Sequence, residues 1–189
     1  MDSGAILRPE ICIRPTAFKC ERDPTEEYGL IIADLTEDLG RNCQIVDEVA
    51  REVASGRGVS LILSDRKEHC RVLQGLLEER HGICGAILTG DTPLPERKRL
   101  VDRIQSGRAP AVFATGQLIG EGFDASNLTS LFLATPIKFS GRLIQYLGRV
   151  LRPAQGKAQP RVYDFVDEKV GVLDAAARAR AAVYAEIGE

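Results

Sequence analysis

The residues best suited to chemistry are Gln145, Arg149 and Arg152, within the run Gln145-Tyr146-Leu147-Gly148-Arg149-Val150-Leu151-Arg152. Spacings of four and three place them on one face of a helix. Guanidiniums held side by side repel unless an anion sits between them. A triphosphate suits that position, because arginine's planar fork matches phosphate oxygens in a bidentate way. The same spacing also suits two solvated or carboxylate-paired arginines, and spacing alone leaves both open. Upstream lies Thr115-Gly116-Gln117-Leu118-Ile119-Gly120-Glu121-Gly122-Phe123-Asp124. Its glycines let the backbone approach a ligand and present N–H groups, and Asp124 stands where an acceptor can hold a sugar hydroxyl. The alternative is a tight connection in which Asp124 caps a turn.

Those residues need a framework, and the composition supplies one. With 189 residues, 44% apolar and 28% charged, the chain is long enough for one globular domain with a real core. No apolar stretch has the length of a membrane span and no leader follows Met1, so a cytoplasmic setting without a membrane partner is expected. The five cysteines (Cys12, Cys20, Cys43, Cys70, Cys84) form no Cys-x-x-Cys pair, and His69 and His81 do not complete a metal site with them. Reduced thiols are expected. The net charge of −2 says little, but its distribution is uneven. Between Asp124 and Asp164 no acidic residue occurs, while Lys138, Arg142, Arg149, Arg152, Lys157 and Arg161 do. A polyanion partner fits this interval, and so does a basic face paired with carboxylates elsewhere.

Residues 1–40 read as a lead-in segment or linker, with Ile11 and Ile13 alternating as in an edge strand before Pro15. Residues 41–175 form the body, and a C-terminal helix covers 176–189. Gly40-Arg41-Asn42 marks a break, with Asn42 as cap of the following helix. From residue 59 strands and helices alternate. Strands are expected at Val59–Leu63, Ile83–Leu88, Ala111–Thr115, Ser130–Ala134 and Arg161–Val166. Asp65 and Glu68 stand at capping-box spacing, ahead of a helix with Cys70, Leu73, Leu76 and Leu77 on one face. The next helix buries Leu100, Val101 and Ile104. Ser140 is read as the cap of a helix with Leu143, Ile144 and Leu147 inward. Asp47-Glu48 and Asp167-Glu168 read as surface charge. Strands apolar throughout, separated by amphipathic helices, imply an α/β fold: a mostly parallel sheet with helices on both faces. In such sheets ligands gather at the carboxyl ends of the strands, here after Leu63, Leu88, Thr115 and Ala134.

On these residues the chain resembles the C-terminal, second RecA-like domain of superfamily 2 helicases. Gln-x-x-Gly-Arg-x-x-Arg is similar to the last motif of that superfamily, and Thr115 to Asp124 to its fifth. Val59–Leu63 with Ser64-Asp65-Arg66 resembles the fourth, and Leu88-Thr89-Gly90 with Glu96-Arg97 the segment between. The resemblance spans roughly residues 58 to 166. Gly120-Glu121-Gly122-Phe123-Asp124, with a Gln where DEAD-box proteins carry His, is closest in flavour to the type III restriction and DNA-repair branch. The resemblance implies that Arg149 and Arg152 reach the β- and γ-phosphates of ATP, one as arginine finger, with Gln145 positioning nucleotide or water. Gly120, Gly122 and Asp124 would contact the nucleotide. Ser64, Arg66, Thr89, Gly90, Arg97 and Thr115 would hold the backbone of single- or double-stranded nucleic acid, DNA ahead of RNA. For Ser64 and Thr89 the competing reading is capping, and for Arg97 a solvated charge.

No Gly-x-x-x-x-Gly-Lys-Ser/Thr loop and no Asp-Glu-x-Asp/His box occurs. In the resembled family those belong to a first motor domain, which would hold Mg²⁺ and complete the ATP site, so the chain alone is expected to be inactive. A non-catalytic nucleic-acid-binding or regulatory module is the second reading. An unrelated α/β enzyme such as a phosphatase is the third, though no nucleophile with a base stands at a strand end.

Overall fold

The computed structural model describes residues 8–116, 127–137, 140–150 and 156–188. In chain order these form β1 (Glu10–Pro15), α1 (Tyr28–Glu37), α2 (Leu39–Ala54), β2 (Val59–Ser64), α3 (Lys67–His81) and β3 (Ala86–Leu88). Then follow α4 (Leu94–Gln105), β4 (Ala111–Thr115), β5 (Leu128–Leu133), α5 (Ser140–Val150), β6 (Arg161–Val166) and α6 (Gly171–Gly188). The strands make one six-stranded sheet in the order β1-β6-β5-β2-β4-β3. Every pairing is parallel. The expected α/β architecture is observed.

The sheet is apolar on both sides because helices cover both. Side chains alternate along a strand, so Leu61 and Leu63 enter one core and Ile62 the other. The first core takes Leu100 and Ile104 of α4, Leu143, Tyr146, Leu147 and Val150 of α5, and Val183 of α6. The second takes Ile45, Val46 and Val49 of α2 and Cys70, Leu73 and Leu77 of α3. There Phe132 and Tyr163 stack at 4.3 Å. A smaller cluster joins Phe18, Ile31 and Leu35 to Val170 and Leu173.

Several local expectations change. Asp38, not Asn42, caps α2, its carboxylate accepting from Arg41 N–H at 2.7 Å. Asn42 lies one turn inside that helix, 1% exposed. The N-cap residue of helix α3 is Arg66, one position after Asp65, and its side chain makes no cap bond. Ser140 is the first residue of α5 rather than its cap. On α5 Ile144 is half exposed, and Tyr146 takes the inward place beside Leu143 and Leu147. Asp167 is not surface charge. It is 2% exposed, and Arg41 grips both its oxygens, with Nε at 2.9 Å and Nη2 at 3.2 Å. Arg41 Nη1 also donates to Ala134 O, and Thr16 Oγ1 donates to Asp167. A carboxylate is buried only when paired and hydrogen-bonded, and Asp167 is both. A second buried pair joins Asp164 to Arg180 at 2.8 Å, with Tyr184 OH donating to the same carboxylate.

Candidate nucleotide and nucleic-acid site

In an all-parallel sheet the carboxyl ends share one edge. Ser64 of β2 pairs in register with Thr115 of β4, and Leu88 of β3 with Ala114. Thr89, Thr115 and Ser64 therefore stand in a row across three adjacent strands, as the reading of the strand-end loops requires. All three side chains lie in the wall of that edge rather than on it, at 3%, 9% and 2% exposure.

The Ser64 hydroxyl is fully engaged. It accepts from Arg66 N–H at 3.1 Å and meets His69 Nδ1 at 3.0 Å. His69 Nε2 lies 2.9 Å from Asn42 Oδ1, and Asn42 Nδ2 donates to Thr36 O at 2.8 Å. Because the Asn42 amide nitrogen is occupied, its oxygen must accept, which puts the proton on Nε2. His69 Nδ1 then accepts from Ser64 Oγ–H. Burial, seconded by the charge of Arg41, pushes the imidazole down to about 3, so the chain keeps one direction at neutral pH. It runs from the Arg66 backbone to α1 and sets where Arg66 leaves the sheet. The Arg66 side chain is exposed. Asp65 N–H donates to Thr135 Oγ1 at 2.9 Å, tying the same loop to the end of β5.

The loop after β3 is a closed turn, with Thr92 N–H donating to Thr89 O at 3.0 Å and Thr89 N–H to Thr92 Oγ1 at 3.1 Å. Arg97, on the first turns of α4, reaches back to it. Its Nε donates to Thr92 O at 2.8 Å and Nη2 to Gly90 O at 3.2 Å. Its guanidinium braces the turn, which neither sequence reading of Arg97 anticipated. Lys67 holds Asp91, whose carboxyl is kept below the usual range by that hydrogen bond. Gly90 is left exposed at the apex.

Helix α5 carries the arginine segment. Leu143, Leu147 and Val150 are at most 1% exposed and Tyr146 4%, while Gly141, Ile144, Gln145 and Gly148 form the outer stripe. The backbone of Arg149 belongs to the helix; its side chain, Arg152, Gly120, Gly122 and Asp124 lie outside the described residues. Among the described residues, Gly116 of the glycine-rich segment and Tyr146 of this helix meet. A Cβ placed on Gly116 would stand 1.9 Å from Tyr146 Oη and 2.9 Å from Cζ, so the first residue after β4 must be glycine for the tyrosine to lie where it does. Spacing could have found Tyr146, which repeats with Leu143, Leu147 and Val150. Nothing local marks His69 or Arg41.

Within the cationic interval, Arg161 pairs with Glu10 at 2.8 Å and Glu52 at 3.1 Å, and Lys157 donates to Val150 O. The carboxylate-paired reading holds for Arg161. All five cysteines are free, and burial pushes Cys70 up to about 12. Among the described residues no three His, Cys, Asp or Glu side chains converge as a metal site requires, and no helix is long and apolar enough to cross a membrane.

The family pattern described as helicase conserved C-terminal domain matches residues 41–154. D10 of Escherichia phage T5, named a probable helicase, is 33% identical over 68% of this chain and 28% of that protein. IRC3 of Saccharomyces cerevisiae, named a putative ATP-dependent helicase, is 30% identical over 61% of this chain and 17% of that one. The chain thus spans under a third of these relatives. Among solved structures, T4 UvsW superposes with a TM-score of 0.68 at 17% identity, over 94% of this chain and 40% of that chain. At that identity the likeness speaks for the fold.

Proposed function

From the premise that this chain belongs to the helicase conserved C-terminal domain family of superfamily 2, we propose that it is the second motor domain of an ATP-dependent nucleic-acid helicase or translocase. ATP would lie between this domain and a first RecA-like domain of the same full-length protein. Arg149 and Arg152 would supply guanidiniums to the β- and γ-phosphates, one as arginine finger, with Gln145 orienting nucleotide or water. Gly120, Gly122 and Asp124 would receive the nucleotide from this side. Mg²⁺ would be held mainly by the first domain, which is why the chain alone is expected to turn over no ATP.

The observation that carries this reading is the placement of α5. Its inner face is locked into the sheet, Gln145 stands outward, and the helix abuts the end of β4 from which the glycine-rich segment departs. A stretch of phosphate backbone would run along the carboxyl edge, with exposed Arg66 and Gly90 making contact. Ser64 and Arg97 would act from beneath by fixing the loops, and Thr89 and Thr115 would form the wall. Such contacts position a strand without reading bases, and DNA is the preferred track. The protein would work in the cytoplasm.

The test is nucleic-acid-stimulated ATPase of the full-length protein. Arg149→Ala and Arg152→Ala should each lower kcat, by about 10³-fold for the finger itself. Wild-type turnover in both variants overturns the finger assignment. A full-length protein that binds nucleic acid but never hydrolyses ATP favours the non-catalytic module.

A further inference from the structure

The first turns of α3 and the turn after β3 stand on either side of the end of β4, and a set of charges spans them. Lys67 opens α3 and Arg71 follows one turn later, so both side chains leave the same face of the helix. Asp91 stands opposite. Its Oδ1 accepts from Lys67 Nζ, and its Oδ2 lies 3.9 Å from Arg71 Nη2. Arg71 also pairs with Glu68 at 2.7 Å, whereas Asp91 is the carboxylate that meets Lys67. The lysine runs close to the apex of the turn, for a methyl group on Gly90 would meet its Nζ at 3.8 Å. Arg66, next in sequence, is exposed, so Arg66, Lys67 and Gly90 form one stretch of surface.

The turn is closed by other groups than the Asp91 side chain. Thr89 and Thr92 bond to each other, and Arg97 braces the carbonyls of Gly90 and Thr92. A fixed turn therefore presents the carboxylate to Lys67. The pair itself is open to water, with side chains 46% and 58% exposed, and such a pair adds little to stability. A carboxylate on an ammonium is chemically a stand-in for a phosphate group: an anionic oxygen accepting from the same N–H donors.

We propose that Asp91 is a tethered competitor for the nucleic-acid backbone: in the free domain its carboxylate fills the place of a phosphate on Lys67, and an arriving strand takes Lys67 by displacing it. This rests on the strand path proposed above, to which it adds Lys67 and Asp91. Exchanging one anion for another makes the contact weaker than a free lysine gives. A motor that moves along a strand has to release it in every cycle, and a competitor held beside the cation favours that release.

The experiment measures binding of a labelled single-stranded oligodeoxynucleotide to the full-length protein by fluorescence anisotropy, at about 50 and 200 mM salt. Four proteins are compared: wild type, Asp91→Asn, Lys67→Ala and the double variant. Asparagine keeps the size and an acceptor oxygen and gives up the charge. Asp91→Asn should tighten binding about fivefold at the lower salt, and less at the higher. In the Lys67→Ala background the same change should gain no more than about twofold, since only the diffuse repulsion of Asp91 is then removed. Lys67→Ala made in the Asp91→Asn protein should lower the salt slope by roughly 0.7. Equal gains from Asp91→Asn in the two backgrounds overturn the competition, because long-range charge acts independently of Lys67. No gain in Asp91→Asn overturns it as well. The control for the strand path is wild-type binding that falls with salt and weakens in Arg66→Ala. A protein that passes this control with an additive cycle refutes the competition alone. One that binds no oligonucleotide, or binds it equally well without Arg66, refutes the strand path and the competition with it.

Discussion

A proton on His69 should unfold this domain's edge. The imidazole is 2% exposed and accepts from Ser64 through Nδ1, so protonation both buries a charge and breaks that bond. Its pKa falls from 6.5 to about 3, burial being the larger cause and Arg41 the smaller. The sign follows from which state binds the proton. Between pH 6.5 and 3 the unfolded chain takes it up and the folded chain does not, so stability drops as pH falls through the unfolded value. Full linkage is about 1.4 kcal/mol per pH unit, which integrates to about 2 kcal/mol between pH 7.5 and pH 5. The assay is urea unfolding of the domain at those two pH values, for wild type and for His69→Gln. The variant starts less stable, having lost well-made buried hydrogen bonds, but its stability should fall about 2 kcal/mol less between the two conditions. Carboxylates titrate in both proteins and cancel in the difference. An equal pH dependence in the two proteins refutes the reasoning, as does a His69 imidazole resonance, assigned by its loss in His69→Gln, that titrates near pH 6.5 in the folded wild type.

Arg41→Ala should cost about 3–5 kcal/mol in denaturant unfolding, because it strands the carboxylate of Asp167 at 1% side-chain exposure; a loss under 1 kcal/mol contradicts the pairing. In nucleic-acid titrations against salt, Arg66→Ala should reduce the slope of log K on log salt by roughly 0.7–0.9. Arg97→Ala, whose guanidinium bonds carbonyls, should weaken binding with the slope nearly unchanged. Leu143→Ala should cost about 2–5 kcal/mol, whereas Ile144→Ala, at 50% exposure, should cost under about 1 kcal/mol; the reverse order would mean α5 is rotated from its position here.

Much of the framework was legible because burial leaves a local trace. Strands covered on both faces are mostly apolar, and β4 and β6 have the bounds their sequences suggest although Asp164 interrupts the apolar run of β6. The edge strand β3 shrank from the expected Ile83–Leu88 to Ala86–Leu88, since it has only β4 to pair with. Motif order placed the candidate loops at the carboxyl edge, and the register then set Ser64 beside Thr115. What the motifs left open was which side chains face a ligand. Ser64 looked available for phosphate until His69, five residues on, and Asn42, on another helix, closed around it.

By itself, then, the sequence determined the α/β class, the helicase motifs and the arginine-bearing helix, all of which depend on residues near one another in the chain. Tertiary structure decided the rest. Asp167 is buried because Arg41, 126 residues away, meets it. Ile144 faces out and Tyr146 in because the sheet admits only one stripe of α5, and both residues are apolar enough to qualify. The glycine at 116 is required by a tyrosine thirty residues later, a fact no local pattern carries. Buried polar pairing and close backbone contact depend on where distant elements converge, and periodicity along one segment holds no record of that.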